Sequence, residues 1–161
     1  MNVSHQKFKN SQKKELILKL EIYYGCKLEE LQKYNFYINQ RNKKVYILSC
    51  NLDNLNLQRI SGYGLYFGTF HDDDRFRLSI EGSHFVKPQK NFIEINDEKL
   101  SSYISGETLF KDEVKKYDHL DRCPFLIVRH KDESIGCVSP KQNELLNYIP
   151  KSRRLHFNKL Y

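Results

Sequence analysis

The sequence predicts an α+β fold in two units: an antiparallel sheet with helices packed on it, then a second, strand-rich unit. Three observations carry this expectation. Apolar residues recur at helical spacing near the N-terminus, period-two strands follow as far as residue 80, and the strand pattern restarts after Lys87-Pro88-Gln89-Lys90. That stretch is short, polar and contains a proline, which marks a boundary between residues 1–88 and 89–161. A chain of 161 residues has room for two small domains that share an interface.

The first helix is expected from Phe8 to about Gly25. Leu16, Ile17, Leu20, Tyr23 and Tyr24 fall on one face, and Gly25 suits a left-handed C-terminal cap. A short helical turn follows through Leu28 and Leu31. Tyr34, Phe36 and Ile38 alternate with polar residues, Val45 to Leu48 is an apolar run, and the polar Asn39–Lys44 between them reads as a hairpin turn. Asn51 to Ile60 is leucine-rich at near-helical spacing. In the strand expected over Gly62–Phe70, alternation puts Gly62, Gly64 and Gly68 on one face and Tyr63, Leu65 and Phe67 on the other. Absent side chains on the glycine face allow close approach of a neighbour. Phe76, Leu78 and Ile80 then alternate with Arg75, Arg77 and Ser79 as a half-buried strand.

The second unit opens with a strand at Phe92–Ile95. A short helix follows, capped by Asn96 or Asp97, with Leu100, Tyr103 and Ile104 inward and Gly106 closing it. Strands are expected at Phe125–Val128 and Ile135–Val138, joined by the charged turn Lys131–Ser134. Leu145 to Ile149 is read as one helical turn, and Leu155 and Phe157 as part of a last strand.

The net charge of +7 favours anionic partners through phosphate attraction and counterion release. Its distribution is uneven. Residues 1–88 hold 14 Lys/Arg against 9 Asp/Glu, residues 89–140 hold 8 against 10, and residues 141–161 hold 5 against 1. Met1 to Lys14 is polar and basic without an apolar signal core, and no apolar run approaches the ~20 residues that span a bilayer. The expectation is a soluble, cytoplasmic protein without a membrane partner.

Cys26, Cys50, Cys123 and Cys137 lack any C-x-x-C spacing, which argues against a zinc ribbon and favours reduced, mostly buried thiols. Cys123 and Cys137 lie on neighbouring expected strands, so a bridge between them stays open. The glycines of 62–68 alternate within an aromatic strand and open no helix, unlike a nucleotide-binding loop. His71-Asp72-Asp73-Asp74 supplies hard oxygen ligands of the kind a Mg²⁺-dependent hydrolase uses. Successive residues of a tight turn diverge, however, and a solvated acidic turn is the simpler reading. The six histidines show no metal-ligand spacing, and no Ser or Cys stands in a nucleophile elbow.

The basic C-terminal stretch Lys151-Ser152-Arg153-Arg154-Leu155-His156-Phe157-Asn158-Lys159 alternates cations with apolar residues. Read as a strand, it places Arg154, His156 and Asn158 on one face and Arg153, Leu155 and Phe157 on the other. Cations neutralise phosphates and Arg also stacks on bases, with Tyr148 a nearby stacking partner. On composition alone, a solubilising tail and a nucleic-acid site are equally good readings.

Ser61-Gly62-Tyr63-Gly64-Leu65-Tyr66-Phe67-Gly68-Thr69-Phe70 resembles the glycine-spaced strand of the Nip-seven-like family, archaeal and eukaryotic factors of large ribosomal subunit biogenesis. Arg75-Phe76-Arg77-Leu78-Ser79-Ile80 is similar to that family's next strand. Phe92-Ile93-Glu94-Ile95-Asn96, Leu100 to Gly106, Thr108-Leu109-Phe110, Phe125-Leu126-Ile127-Val128 and Ser134-Ile135-Gly136-Cys137 resemble successive elements of a PUA domain. The similarity covers roughly residues 34–161 and is clearest at 60–138. The resemblance implies that residues 89–161 form a PUA-like β pseudobarrel. It further implies RNA binding without catalysis, cofactor or small-molecule substrate, a preference for single-stranded U-rich or A/U-rich RNA, and a role in rRNA maturation. Ribosome assembly proteins or the RNA-degrading exosome are the implied partners. An accessory subunit of an RNA-modifying or RNA-degrading complex is the alternative. The family's RNA-contacting basic positions match Lys151, Arg153, Arg154 and Lys159, with Gly106 at the same surface. Two departures stand out: Asp112-Glu113-Val114 and Val138 occupy places where many PUA domains carry glycine.

Overall fold

The computed structural model describes residues 5–53, 62–117 and 124–156. Strand β1 (His5–Lys7) precedes helix α1 (Asn10–Tyr24), which buries Leu16, Ile17, Leu20 and Tyr24 and ends at Gly25 in the left-handed region. The helix begins later than its spacing suggests because the Phe8 amide donates to Phe36 O and belongs to the sheet. The expected second turn is a 3₁₀ turn over Glu29–Lys33, with Leu31 buried. Strands β2 (Asn35–Asn39), β3 (Lys44–Leu48), β4 (Leu65–Phe70) and β5 (Phe76–Leu78) complete a five-stranded antiparallel sheet in the order β1-β2-β3-β4-β5. Most of the helix expected over Asn51–Ile60 lies outside the described residues.

Two expectations for this sheet are corrected. Strand β4 starts at Leu65, because Gly64 has φ +63 and turns the chain before pairing begins, so Gly62 and Gly64 are not on a strand face. Gly64 and Gly68 both meet the expectation of close approach: a Cβ on Gly64 would stand 2.5 Å from Ile47 O, and one on Gly68 2.5 Å from Arg77 O and from the Phe76 ring. Strand β5 stops at Leu78 rather than Ile80. The Ser79 hydroxyl accepts from the Gly82 amide at 2.8 Å and starts helix α2 (Ile80–Ser83), since Ser favours a helix cap over a strand interior.

The boundary stretch packs on the first unit, with the Gln89 and Lys90 amides donating to Tyr24 O at 2.9 and 3.3 Å. Beyond it come β6 (Phe92–Glu94), α3 (Asp97–Ile104), β7 (Leu109–Phe110), β8 (Lys115–Tyr117), β9 (Leu126–His130), β10 (Glu133–Lys141) and β11 (Glu144–Asn147). Asn96 caps α3, its side-chain oxygen accepting from the Lys99 amide at 2.9 Å. These strands form a six-stranded sheet in the order β7-β11-β10-β9-β6-β8, parallel only between β6 and β9. Leu145 to Asn147 is strand rather than helix. Gln142 at φ 54 turns the chain after β10, and Lys141 pairs with Glu144, so hairpin closure overrides a leucine spacing that fits either structure. The last expected strand is also corrected. Pro150 leads into a 3₁₀ turn over Lys151–Arg153, and Arg154 to His156 have no strand partner. Pro150 has no N–H for a ladder, and its carbonyl instead accepts from the Arg153 amide at 2.8 Å. Phe157 lies outside the described residues.

Strand β9 joins the two hydrophobic cores. Ile127 enters the core that holds α1, Phe36, Val45, Phe67 and Leu78, whereas Leu126 and Val128 enter a second core with Ile93, Tyr103, Leu109, Val138 and Leu145. Alternation along one strand therefore supplies side chains to both cores. The Tyr23 hydroxyl donates to Phe125 O at 2.8 Å, and the Ser134 hydroxyl donates to Val86 O at 2.5 Å, which fixes the joint further. Among the described residues, no helix is long and apolar enough to cross a membrane.

Cys137 is a free, fully buried thiol, so it forms no bridge, and burial pushes it up to about 12. Cys123 lies outside the described residues. Native protein treated with iodoacetamide near neutral pH should label at the exposed Cys50, with Cys137 labelled only after denaturation. Peptide mass mapping checks this, and labelling of Cys137 as fast as Cys50 would contradict its placement.

Candidate nucleic-acid interface

The candidate site is built where the C-terminal segment folds back on the end of α3. Gly106 takes φ +84 just past the helix, and its amide donates to Tyr103 O at 3.0 Å. This conformation favours glycine, and a Cβ would also displace the Arg154 side chain, whose Nε and Cδ occupy its place. The Leu155 amide donates to Ile104 O at 3.0 Å, and the Ser105 hydroxyl donates to Leu155 O at 2.9 Å. Asn147 ties in the end of β11, its amide nitrogen donating to Tyr103 O at 2.7 Å and Glu107 O at 2.9 Å.

Four of the five sequence-predicted site residues are thus placed together. Arg154 is half-buried against Gly106, with Nε donating to Ile149 O at 3.1 Å, so part of its donor capacity is already used. Arg153 pairs with Glu81 of α2 and links the segment to the first unit. Lys151 is exposed at the start of the turn, with no ion pair among the described residues. Lys159 lies outside the described residues. The face alternation expected for 153–158 does not apply to Lys151–Arg153, because a 3₁₀ turn sends successive side chains about a third of a turn apart.

The two departures from the PUA pattern have structural partners. Glu113 pairs with Lys99 at 2.8 Å, which offsets its charge near the helix, and Val138 is buried in the second core. Asp72–Asp74 form a 3₁₀ turn, and the His71 ring packs on Phe125 with centroids 5.1 Å apart. Among the described residues, no group of three or more His, Cys, Asp or Glu is arranged to hold a metal ion.

Sequence reasoning missed one contact beside this site. The Arg77 guanidinium lies over the Tyr148 ring, 4.1 Å from its centroid, and Tyr148 in turn meets Phe125 at 5.9 Å. The alternation of Arg75 and Arg77 with Phe76 and Leu78 signals cations on one strand face. It carries no sign that one of them would reach Tyr148, just past β11 and remote in sequence.

Residues 5–80 match the family described as the NIP7/UPF0113 pre-PUA domain, which extends the similarity towards the N-terminus beyond the residues that first suggested it. No curated protein matches. Among solved structures, a conserved PUA domain protein from Thermoplasma acidophilum superposes with a TM-score of 0.58 at 11 % identity, over 87 % of this chain and 82 % of that one. At that identity the likeness concerns the fold. The five-stranded sheet with α1 and the six-stranded sheet that follows account for both matches: residues 5–80 are similar to the NIP7/UPF0113 pre-PUA domain, and the chain has a PUA-type fold.

Proposed function

We propose that this protein is a non-catalytic RNA-binding factor of large ribosomal subunit biogenesis, with residues 1–88 and 89–161 as its two domains. In this reading, single-stranded RNA is held at the end of the second sheet. The observation that carries the reading is the seating of Arg154 on Gly106, with Lys151 and Arg153 in the turn that leads to it. The pre-PUA match supports the ribosomal role. Roles divide within the site. Lys151 neutralises a phosphate directly, Arg153 exchanges or shares its Glu81 partner, and Arg154 mainly shapes the surface against Gly106. Single strands of U-rich or A/U-rich sequence are the proposed ligands, since their bases are free to stack.

Binding to U-rich, A-rich and duplex RNA across a salt series tests this. Wild-type protein should bind the single strands with a steep salt dependence. Lys151→Gln should lower the slope of log K against log salt by about 0.7, the value for one phosphate contact on a single strand. A slope unchanged by Lys151→Gln together with Arg153→Gln, in folded protein, would refute the site.

A further inference from the structure

The face of the first sheet turned away from α1 holds a second cation–aromatic arrangement. Register defines that face. Tyr37, Tyr46 and Tyr66 stand opposite one another across β2, β3 and β4, and Lys44, Thr69 and Arg77 form the next row across β3, β4 and β5. Opposed residues share a face, and the neighbouring Phe67 and Leu78 point into the core, so both rows face the other way. The Tyr66 and Thr69 hydroxyls are hydrogen-bonded, consistent with one shared face.

Each cation in the second row lies on an aromatic ring. Lys44 Nζ is 5.2 Å from the Tyr66 centroid, and Arg77 Cζ is 4.1 Å from that of Tyr148. All four side chains are partly exposed. Among the described residues no carboxylate pairs with Lys44 or Arg77, whereas Lys7 on the same face is neutralised by Asp53 at 3.0 Å. Lys44 and Arg77 are two strands apart, roughly 10 Å along the row. Only Ile149 and Pro150 separate Tyr148 from Lys151, so this stripe approaches the end of the candidate site.

We infer that Lys44, Tyr66, Arg77 and Tyr148 form a second contact surface that receives the continuation of a single RNA strand held at Lys151. The inference rests on the RNA-binding reading above. The two cations neutralise phosphates, and bases extend the Lys44–Tyr66 and Arg77–Tyr148 stacks. Two features favour a single strand over a duplex. Stacking on an aromatic ring needs a base already out of its own stack, and a stripe of alternating cations and rings follows one backbone rather than two.

The test compares a short U-rich oligonucleotide of about 4 nucleotides with a long one of about 16, spanning the site sizes of single-strand binders. The Lys44→Gln/Tyr66→Leu variant should bind the short strand like wild type and the long strand roughly 5- to 150-fold more weakly, with a shallower salt slope. Lys151→Gln should weaken both. Because the double variant alters a packed sheet face, 4-thiouridine crosslinking to unmodified protein supplies an independent reading, with adducts expected at Tyr66 or Tyr148 from the long strand only. Long-strand binding by the double variant as tight as that of wild type, or adducts at neither tyrosine while the long strand is bound, would overturn the second surface and leave the Lys151 site standing. Failure of wild-type protein to bind either strand would instead overturn the RNA-binding reading itself.

Discussion

Replacing Phe67 with alanine should destabilise the protein by about 3–5 kcal/mol, enough to lower the melting temperature by roughly 6–20 °C. Phe67 has no exposed surface and sits at the centre of an aromatic cluster, with ring centroids 5.5 Å from Phe36, 5.7 Å from Phe76 and 6.2 Å from Phe85. Its loss removes a large buried area and leaves a cavity among rigid rings on β2, β5 and the segment after α2, which cannot close together. The site helps to fix β4 as well. Gly68 beside it admits Arg77 O and the Phe76 ring at contact distance, and the Phe67 carbonyl lies where a Cβ on Gly82 would be. Denaturant unfolding of Phe67→Ala against Phe67→Leu checks the prediction. The leucine variant should recover much of the loss, because it refills part of the cavity without a polar group.

Gly106→Ala should have the next largest effect, about 2–4 kcal/mol, and it should reach RNA binding as well as stability. Two costs add. An L side chain at φ +84 is strained, and its Cβ would displace the Arg154 Nε from its bond to Ile149 O. Once Arg154 moves, the turn that carries Lys151 loses the bond that closes it onto Ile149. The two costs separate in a double-mutant cycle. In an Arg154→Ala background the collision is gone, and Gly106→Ala should then cost only about 1 kcal/mol, the conformational share alone. An equal cost in both backgrounds would show that Gly106 serves only the helix end and leaves no coupling to the basic segment.

The sequence made the fold legible where a local pattern had one physical solution. Leu16, Ile17, Leu20 and Tyr24 can share a face only in a helix, and Asn96 before an apolar, helically spaced run gives a cap, as found. It misled where a pattern had two solutions. Leu145 and Leu146 fit a helical turn or a strand, and the choice fell to pairing with β10, a contact outside the local window. At the C-terminus, alternation from Arg153 onward suggested a strand, but Pro150 and the turn after it decided the local geometry.

The candidate site was legible as a set of basic residues and a glycine, but the relation between them was not. That Gly106 is small because Arg154 occupies the place of its side chain depends on residues far apart in the chain. The same holds for the Arg153–Glu81 pair and for Arg77 over Tyr148, each joining the first unit to the end of the second. Equal formal charges at Lys151, Arg153 and Arg154 therefore do not imply equal roles, because their partners differ.

Hydrogen exchange on the protein with and without saturating U-rich single-stranded RNA locates the contact most directly. The account predicts slowed exchange at the amides of 105–107 and 151–155, where Gly106 donates to Tyr103 O and Leu155 donates to Ile104 O. Tight binding with unchanged exchange across both segments would contradict it and place the RNA elsewhere on the molecule.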